Sequence, residues 1–198
     1  MTRSRYMNPR LTSARYDPVA VALHWVIAFS IIAMIPLGFF MGDLPISIRF
    51  NAYAFHKSLG ITVLALSIFR LIWRLLNPPP ALPLGLKAYE RILAKLTHWG
   101  FYFLIIAMPL SGWLMVSASR KYPTVYFWLT EVPFIPMPVG IDGKATAELF
   151  KEYHETLAYG ALVLILLHVG AALKHHFILK DNVLTRMLPR CCKGKPHA

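Results

Sequence analysis

The stretch Tyr153-His-Glu-Thr-Leu-Ala-Tyr-Gly-Ala-Leu-Val-Leu-Ile-Leu-Leu-His168 is apolar almost throughout, yet it carries a histidine near each end. An α-helix advances about 100° and about 1.5 Å per residue, so fourteen residues bring His154 and His168 within about 40° of one face, about 21 Å apart. Ionisable groups are costly inside a membrane about 30 Å thick, and they usually mark functional sites there. The stretch therefore predicts a membrane helix that carries two stacked metal ligands.

Composition agrees with an integral membrane protein. The chain of 198 residues is 57% hydrophobic and 15% charged, whereas soluble domains carry about 25% charged residues. We expect an all-α membrane protein, a four-transmembrane-helix bundle over residues 19–179, between a tail of residues 1–18 and a basic tail of residues 180–198. The predicted spans are about Val19–Met41, Phe55–Leu76, Leu96–Ser117 and Tyr153–Leu179.

The distribution of Lys and Arg predicts the orientation of this bundle. Fifteen of the 21 Lys and Arg residues lie on the side that holds both termini and the middle loop, while six of the nine Asp and Glu residues lie on the other side. The net charge of +12 therefore sits on the terminal side, and the positive-inside rule places both termini in the cytoplasm. Basic residues among helices this apolar fit a membrane face, and we expect no nucleic acid as a partner.

Four histidines form two pairs that match in depth. His56 and His154 both open spans on the outer side, while His24 and His168 both lie deeper on the inner side. Each pair supplies one imidazole from each of two helices, which is the pattern of bis-histidine axial ligation in a b-type haem. An iron with both axial positions filled transfers electrons and does not readily bind oxygen.

Other readings of the histidines stay open. Taken singly, a histidine at a helix end is more often an interfacial residue than a ligand. His175 lies seven residues beyond His168 on nearly the same face, and His98 lies at a depth comparable to that of His24. Both are rivals for the inner site.

Further residues have two readings each. Arg70, fourteen residues beyond His56, either pairs with a haem propionate or extends to the cytoplasmic interface. His175 and His176 either hydrogen-bond and protonate a bound substrate or form a basic helix end against anionic headgroups. Gly60, one turn after His56, either leaves room for a flat macrocycle or serves ordinary helix packing.

Two readings without haem compete with the cytochrome. A transporter that uses membrane histidines for protons or metal ions generally needs carboxylates in its pathway, and no Asp or Glu lies deep inside a predicted span. A structural membrane protein without a cofactor is the other. The long outer connection, residues 118–152, is rich in proline and aromatic residues, and we expect it to lie at the membrane surface as a cap.

Several motifs resemble the bacterial cytochrome b561 family. The most specific is Leu167-His-Val-Gly-Ala-Ala-Leu-Lys-His-His-Phe177 followed by Lys180-Asp-Asn-Val-Leu-Thr-Arg-Met-Leu-Pro189. Weaker matches are Tyr16-Asp-Pro-Val-Ala-Val-Ala-Leu-His-Trp25, His56-Lys-Ser-Leu-Gly-Ile61, Arg70-Leu-Ile-Trp-Arg74, Ala107-Met-Pro-Leu-Ser-Gly112 and His154-Glu-Thr-Leu-Ala158.

The resemblance implies a four-helix cytochrome of the inner membrane with two haem b groups, whose axial histidines map onto His24, His56, His154 and His168. It also implies ubiquinone as a partner, which His175 and His176 would bind and protonate, and, from one kind of member, superoxide as a donor that is oxidised to dioxygen. The alternative it offers is a non-catalytic anchor subunit for a periplasmic dehydrogenase or hydrogenase, which would bind a periplasmic redox partner.

Overall fold

A computed structural model describes residues 15–81, 87–121, 123–138, 140–141 and 143–189. Four long helices cross the fold: α1 (Pro18–Phe40), α2 (Ile46–Leu76), α3 (Ala88–Ser119) and α4 (Lys144–Leu173). A 3-10 turn, Met41–Asp43, follows α1, and a π-helical turn, Lys174–Ile178, extends α4. Each helix has the length and hydropathy needed to span a membrane, which confirms the predicted membrane bundle.

The predicted spans began too late in three of the four helices. α2 begins at Ile46 instead of Phe55, α3 at Ala88 instead of Leu96, and α4 at Lys144 instead of Tyr153. The extra turns are more polar than the predicted spans. An apolar run marks only the part of a helix that suits the membrane, whereas backbone hydrogen bonding continues into the polar turns beyond it. As a result the long outer connection is shorter than predicted.

Local signals explain where the helices start and stop. Asp17 caps α1, because its Oδ1 accepts hydrogen bonds from the backbone of Val19 and Ala20 at 2.9 and 3.3 Å. The Glu90 carboxylate accepts from the backbone N–H of Lys87 at the start of α3. Asn77 and the prolines that follow it end α2, since proline cannot continue a helix.

The helices close into a four-membered ring. α3 packs against α4 and α2, and α2 packs against α1. Contact between Phe39 of α1 and Tyr159 of α4, with ring centroids 5.2 Å apart, completes the ring. Apolar side chains such as Val26, Phe29 and Leu166 point outward and are more than half exposed, as expected for helices whose outer faces meet lipid.

The connection between α3 and α4 contains a small antiparallel hairpin that the sequence did not predict. Its strands are β1 (Thr124–Tyr126) and β2 (Thr130–Val132), with Thr124 opposite Val132. The buried Ser58 hydroxyl of α2 bonds to the Val125 carbonyl at 3.2 Å and accepts from the Phe127 backbone at 2.9 Å. We call this end of the bundle the hairpin end, and the opposite end, where α1 begins and α4 stops, the terminal end.

The segment after α4 folds back across the terminal end. The Trp25 indole donates to the Met187 carbonyl at 2.6 Å, and the Arg15 guanidinium donates to the carbonyls of Thr185 and Leu188 at 2.8 and 3.0 Å. Residues 180–189 of the predicted C-terminal tail are therefore packed on the bundle. The rest of that tail, with Cys191, Cys192 and His197, lies outside the described residues, as do residues 1–14.

Candidate metal centres

The hairpin end brings together the two histidines predicted for the outer site. The rings of His56 on α2 and His154 on α4 have centroids 6.2 Å apart. An imidazole nitrogen binds a transition metal at about 2 Å, and the ring centre lies about 1 Å beyond it. Two imidazoles on opposite sides of one metal ion therefore have centroids about 6 Å apart, which is the separation seen here.

Two glycines lie against these rings. A Cβ added at Gly38 of α1 would lie 3.2 Å from His56 Cε1, and one added at Gly112 of α3 would lie 3.1 Å from His154 Cε1. A Cβ at Gly60 would instead meet only the Met34 methyl group, at an ordinary 3.7 Å. The close approach of helix backbone to the rings thus depends on Gly38 and Gly112, and Gly60 serves ordinary packing.

The His154 ring is held by hydrogen bonds. Its Nδ1 lies 2.9 Å from the Met108 carbonyl and 3.1 Å from the Ser111 hydroxyl, which itself donates to Met108 at 2.7 Å. A carbonyl only accepts, so Nδ1 carries the hydrogen and Nε2 is left with its lone pair for a metal. Facing it, Nδ1 of His56 is buried without a hydrogen-bond partner.

The terminal end brings together three histidines where the sequence predicted two. His24 of α1 lies with its ring centroid 6.3 Å from that of His168 of α4, and His98 of α3 lies at 6.4 Å. Both distances match two imidazoles on one metal ion. His175, the other rival, is instead hydrogen-bonded through Nδ1 to the Asp181 carboxylate at 2.5 Å.

A cavity of about 480 Å³ opens at the same end of the bundle, and its polar lining includes Asp17 and Asn77. Arg70 lines it and donates to the carbonyl of Ala20, one turn before His24, at 3.0 Å. The guanidinium carbon of Arg74 lies 5.3 Å from the centroid of the Tyr102 ring, so this side chain packs over α3. Arg15 and Tyr16 complete the polar lining, and burial raises the pKa of the Tyr16 phenol, which keeps it a neutral hydrogen-bond donor.

Both clusters suit a metal that arrives with ligands of its own. Among the described residues, no group of three or more His, Cys, Asp or Glu side chains is arranged to hold a bare metal ion. Two facing imidazoles are sufficient when a macrocycle fills the four equatorial positions, and the arginines of the terminal cavity match its carboxylates. The residues present therefore fit haem.

Comparisons with known proteins agree with this chemistry. The profile of the family described as prokaryotic cytochrome b561 matches residues 15–190. Cytochrome b561 homolog 2 of Escherichia coli is 34% identical over 179 residues, which cover 89% of this chain and 93% of that protein. The probable superoxide oxidase CybB of Yersinia pestis is 32% identical over 179 residues, which cover 89% of this chain and 97% of that protein. Cytochrome b561 homolog 1 of Escherichia coli is 31% identical over 180 residues, which cover 89% of this chain and 98% of that protein.

Proposed function

The chain belongs to the prokaryotic cytochrome b561 family, as a multi-pass electron-transfer protein of the bacterial inner membrane that binds b-type haem, and we propose that it carries two haems. The observation that supports this number is the repeated geometry. Two histidine pairs share α4, with ring centroids 6.2 and 6.3 Å apart. His154 and His168 sit about 21 Å apart on that helix.

We assign His56 and His154 to one iron and His24 and His168 to the other. At the hairpin end no other histidine ring contacts His154 among the described residues. At the terminal end His98 is as close to His168 as His24 is. The choice of His24 rests on the family resemblance of the α1 motif around it.

When bound, haem would supply a metal that gains or loses one electron. The chain's own residues orient and insulate it. Arg70, with its guanidinium in the terminal cavity, pairs with a propionate there, and Arg15 and Arg74 reinforce the same positive field. The glycines at 38 and 112 let helix backbone pack directly against the hairpin-end rings.

We propose that the terminal end faces the cytoplasm, in line with the excess of Lys and Arg there. Ubiquinone then docks at this end, where His175 and His176 flank the end of α4 and the Asp181 carboxylate orients His175. An imidazole held in this way can donate a hydrogen bond or a proton to a quinone oxygen.

The proposed donor at the hairpin end is superoxide. The Yersinia relative, named as a probable superoxide oxidase, supports this choice. The overall reaction is balanced when two superoxide anions become two dioxygen molecules, and one ubiquinone takes up the two electrons and two protons to become ubiquinol. The basic residues predicted to attract an anion at this end are Arg49, Lys57, Arg120, Lys121, Lys144 and Lys151, of which Lys151 lies 3.9 Å from Glu155.

Haem stoichiometry and turnover of the isolated chain test this function. The purified protein should give two b haems per chain in a pyridine haemochrome assay against protein mass, and superoxide should reduce them with ubiquinone as the final acceptor. A ratio near one haem would contradict the two-pair assignment. Two haems that superoxide does not reduce would instead support an anchor subunit, whose periplasmic redox partner should then co-purify.

A further inference from the structure

Of the four proposed ligands, only His154 has a ring that is hydrogen-bonded to the part of the chain that the structure describes. His154 Nδ1 meets both the Met108 carbonyl and the Ser111 hydroxyl. Among the described residues, the rings of His24 and His168 make aromatic contacts, with Trp25 at 5.4 Å and with Phe101 at 5.1 Å, but no hydrogen bond. His56 Nδ1 is buried without a partner.

The turn of α3 opposite His154 is suited to this contact. Ser111 is buried, and its hydroxyl is held by the Met108 carbonyl at 2.7 Å, so the position of the hydroxyl is fixed before any metal binds. Pro109 removes a backbone donor from the same turn, and Gly112 presents no side chain between the helix and the ring. The His154 imidazole therefore lies directly against two polar atoms of α3.

A hydrogen-bond acceptor on the far nitrogen of a ligating imidazole raises its basicity. A more basic ligand stabilises the oxidised metal, which carries the higher charge, and so lowers the reduction potential. We propose that Ser111 and the Met108 carbonyl make His154 the strongest of the four axial donors, and that the hairpin-end haem is consequently the lower-potential couple. This inference rests on the proposed function, because it takes His154 as an iron ligand.

The charges at the terminal end support the same order of reduction potentials, because they would raise the potential there. Three arginines, Arg15, Arg70 and Arg74, and one carboxylate, Asp17, line the cavity at this end, and Arg70 donates to the Ala20 carbonyl one turn before His24. Positive charge near a metal favours its reduced state, and burial weakens solvent screening of that field. With haem bound at both ends, this field and the hydrogen bonds to His154 would favour transfer of one electron from the hairpin-end site to the terminal-end site, and the transfer would need no proton. The two ends together therefore set the direction of flow toward the terminal end.

A redox titration of the purified protein with both haems bound tests this ordering. The wild type should show two midpoints, and Ser111→Ala should raise only the lower one, since Nδ1 loses one of its two acceptors. We expect a shift equivalent to about a tenfold change in the reduction equilibrium, or about 59 mV for one electron. The low-spin EPR signal of the same haem should move with it, and Ser111→Thr should restore both. Ser30→Ala is the matched control, because that hydroxyl bonds to a carbonyl of its own helix, Val26, at 2.8 Å.

The assignment of the two midpoints comes from His168→Ala, which should retain only the hairpin-end haem, with the lower midpoint. A remaining haem with the higher midpoint, or a Ser111→Ala protein with both midpoints unchanged or the higher one shifted, would overturn the inference. If the wild-type protein binds two haems, these results would contradict only the proposed order of potentials and leave the two-haem function in place. A wild-type protein with one haem would contradict the two-haem function itself. If Ser111→Ala does not retain haem, the midpoint of His168→Ala still tests the proposed order of potentials, because it can be compared with the two midpoints of the wild type.

Discussion

The two ends of the bundle hold their histidines in different ways. At the hairpin end two rings face each other, one of them is fixed by Met108 and Ser111, and glycine backbone lies against both. At the terminal end three rings cluster beside a cavity lined by three arginines, under a segment folded back from α4. The first arrangement holds the two proposed ligands in one geometry, while the second surrounds its proposed ligands with positive charge and further hydrogen-bond donors. The contrast fits a site that receives electrons at one end and serves a substrate at the other.

Removing a ligand from one end should have the largest effect. His168→Ala is expected to lose the terminal-end haem and keep the hairpin-end haem, because the two sites lie about 21 Å apart along α4 and share no ligand. The haem-to-protein ratio should fall from two to one. His175→Ala is the matched control and should keep both haems, since its ring is held by Asp181. Loss of the haem from His175→Ala alone would show that the wrong histidine of α4 was chosen.

The third histidine of the terminal end, His98, allows a test of which histidine pairs with His168. His24→Ala should lose or strongly alter the terminal-end haem, while His98→Ala should leave two haems with unchanged low-spin EPR signals. His98 and His24 are nearly equidistant from His168, but His24 lies on α1 and His98 lies on α3. The two variants therefore test which helix supplies the second ligand. If His98→Ala loses a haem and His24→Ala does not, the ligand pair comes from α3 and α4.

Much of this arrangement was predictable from periodicity and depth. The fourteen-residue spacing on α4 and the apolar segments predicted the membrane bundle, and they also predicted that His56 would meet His154 and that His24 would meet His168. Both contacts are present in the structure. Whether these rings bind iron stays a prediction.

Other features depend on tertiary contacts that periodicity does not report. His98 lies beside His168 because α3 packs closely on α4, and hydropathy gives no rotation of one helix against another. The hairpin forms although Phe127 and Trp128 adopt φ angles of 43° and 62°, where glycine or asparagine would be expected. Its docking on Ser58 holds that strained turn. Proline, serine and glycine together at 109–112 are the signal in the sequence for the α3 turn that faces His154.

Crowding a glycine at the hairpin end should give an intermediate effect. Gly112→Ala places a Cβ 3.1 Å from His154 Cε1, closer than ordinary contact, and the ring cannot move freely because Nδ1 is hydrogen-bonded. We expect a hairpin-end haem with reduced occupancy and a shifted EPR signal, while the terminal-end haem is unchanged. Gly60→Ala is the control, since its Cβ meets only the Met34 methyl group at 3.7 Å. Equal spectra for the two variants would mean that the His154 ring is not confined by α3.

The smallest expected effect concerns the approach of the donor to the hairpin end. Lys57 follows His56, is half-buried, and donates to the Pro123 carbonyl at 3.0 Å, which holds its charge beside the cap. If superoxide is attracted by this charge, its reaction rate should fall as salt rises, because charges in water are screened beyond about 10 Å at 0.1 M. Lys57→Gln should lower the rate about two- to threefold with haem content unchanged, and Lys57→Arg, which keeps the charge, should restore it. Stopped-flow reduction at several ionic strengths measures both effects. If the rate does not change with salt or in Lys57→Gln, the charge of Lys57 does not attract superoxide to the hairpin end. The proposed ligand pair at that end would not be affected by this result.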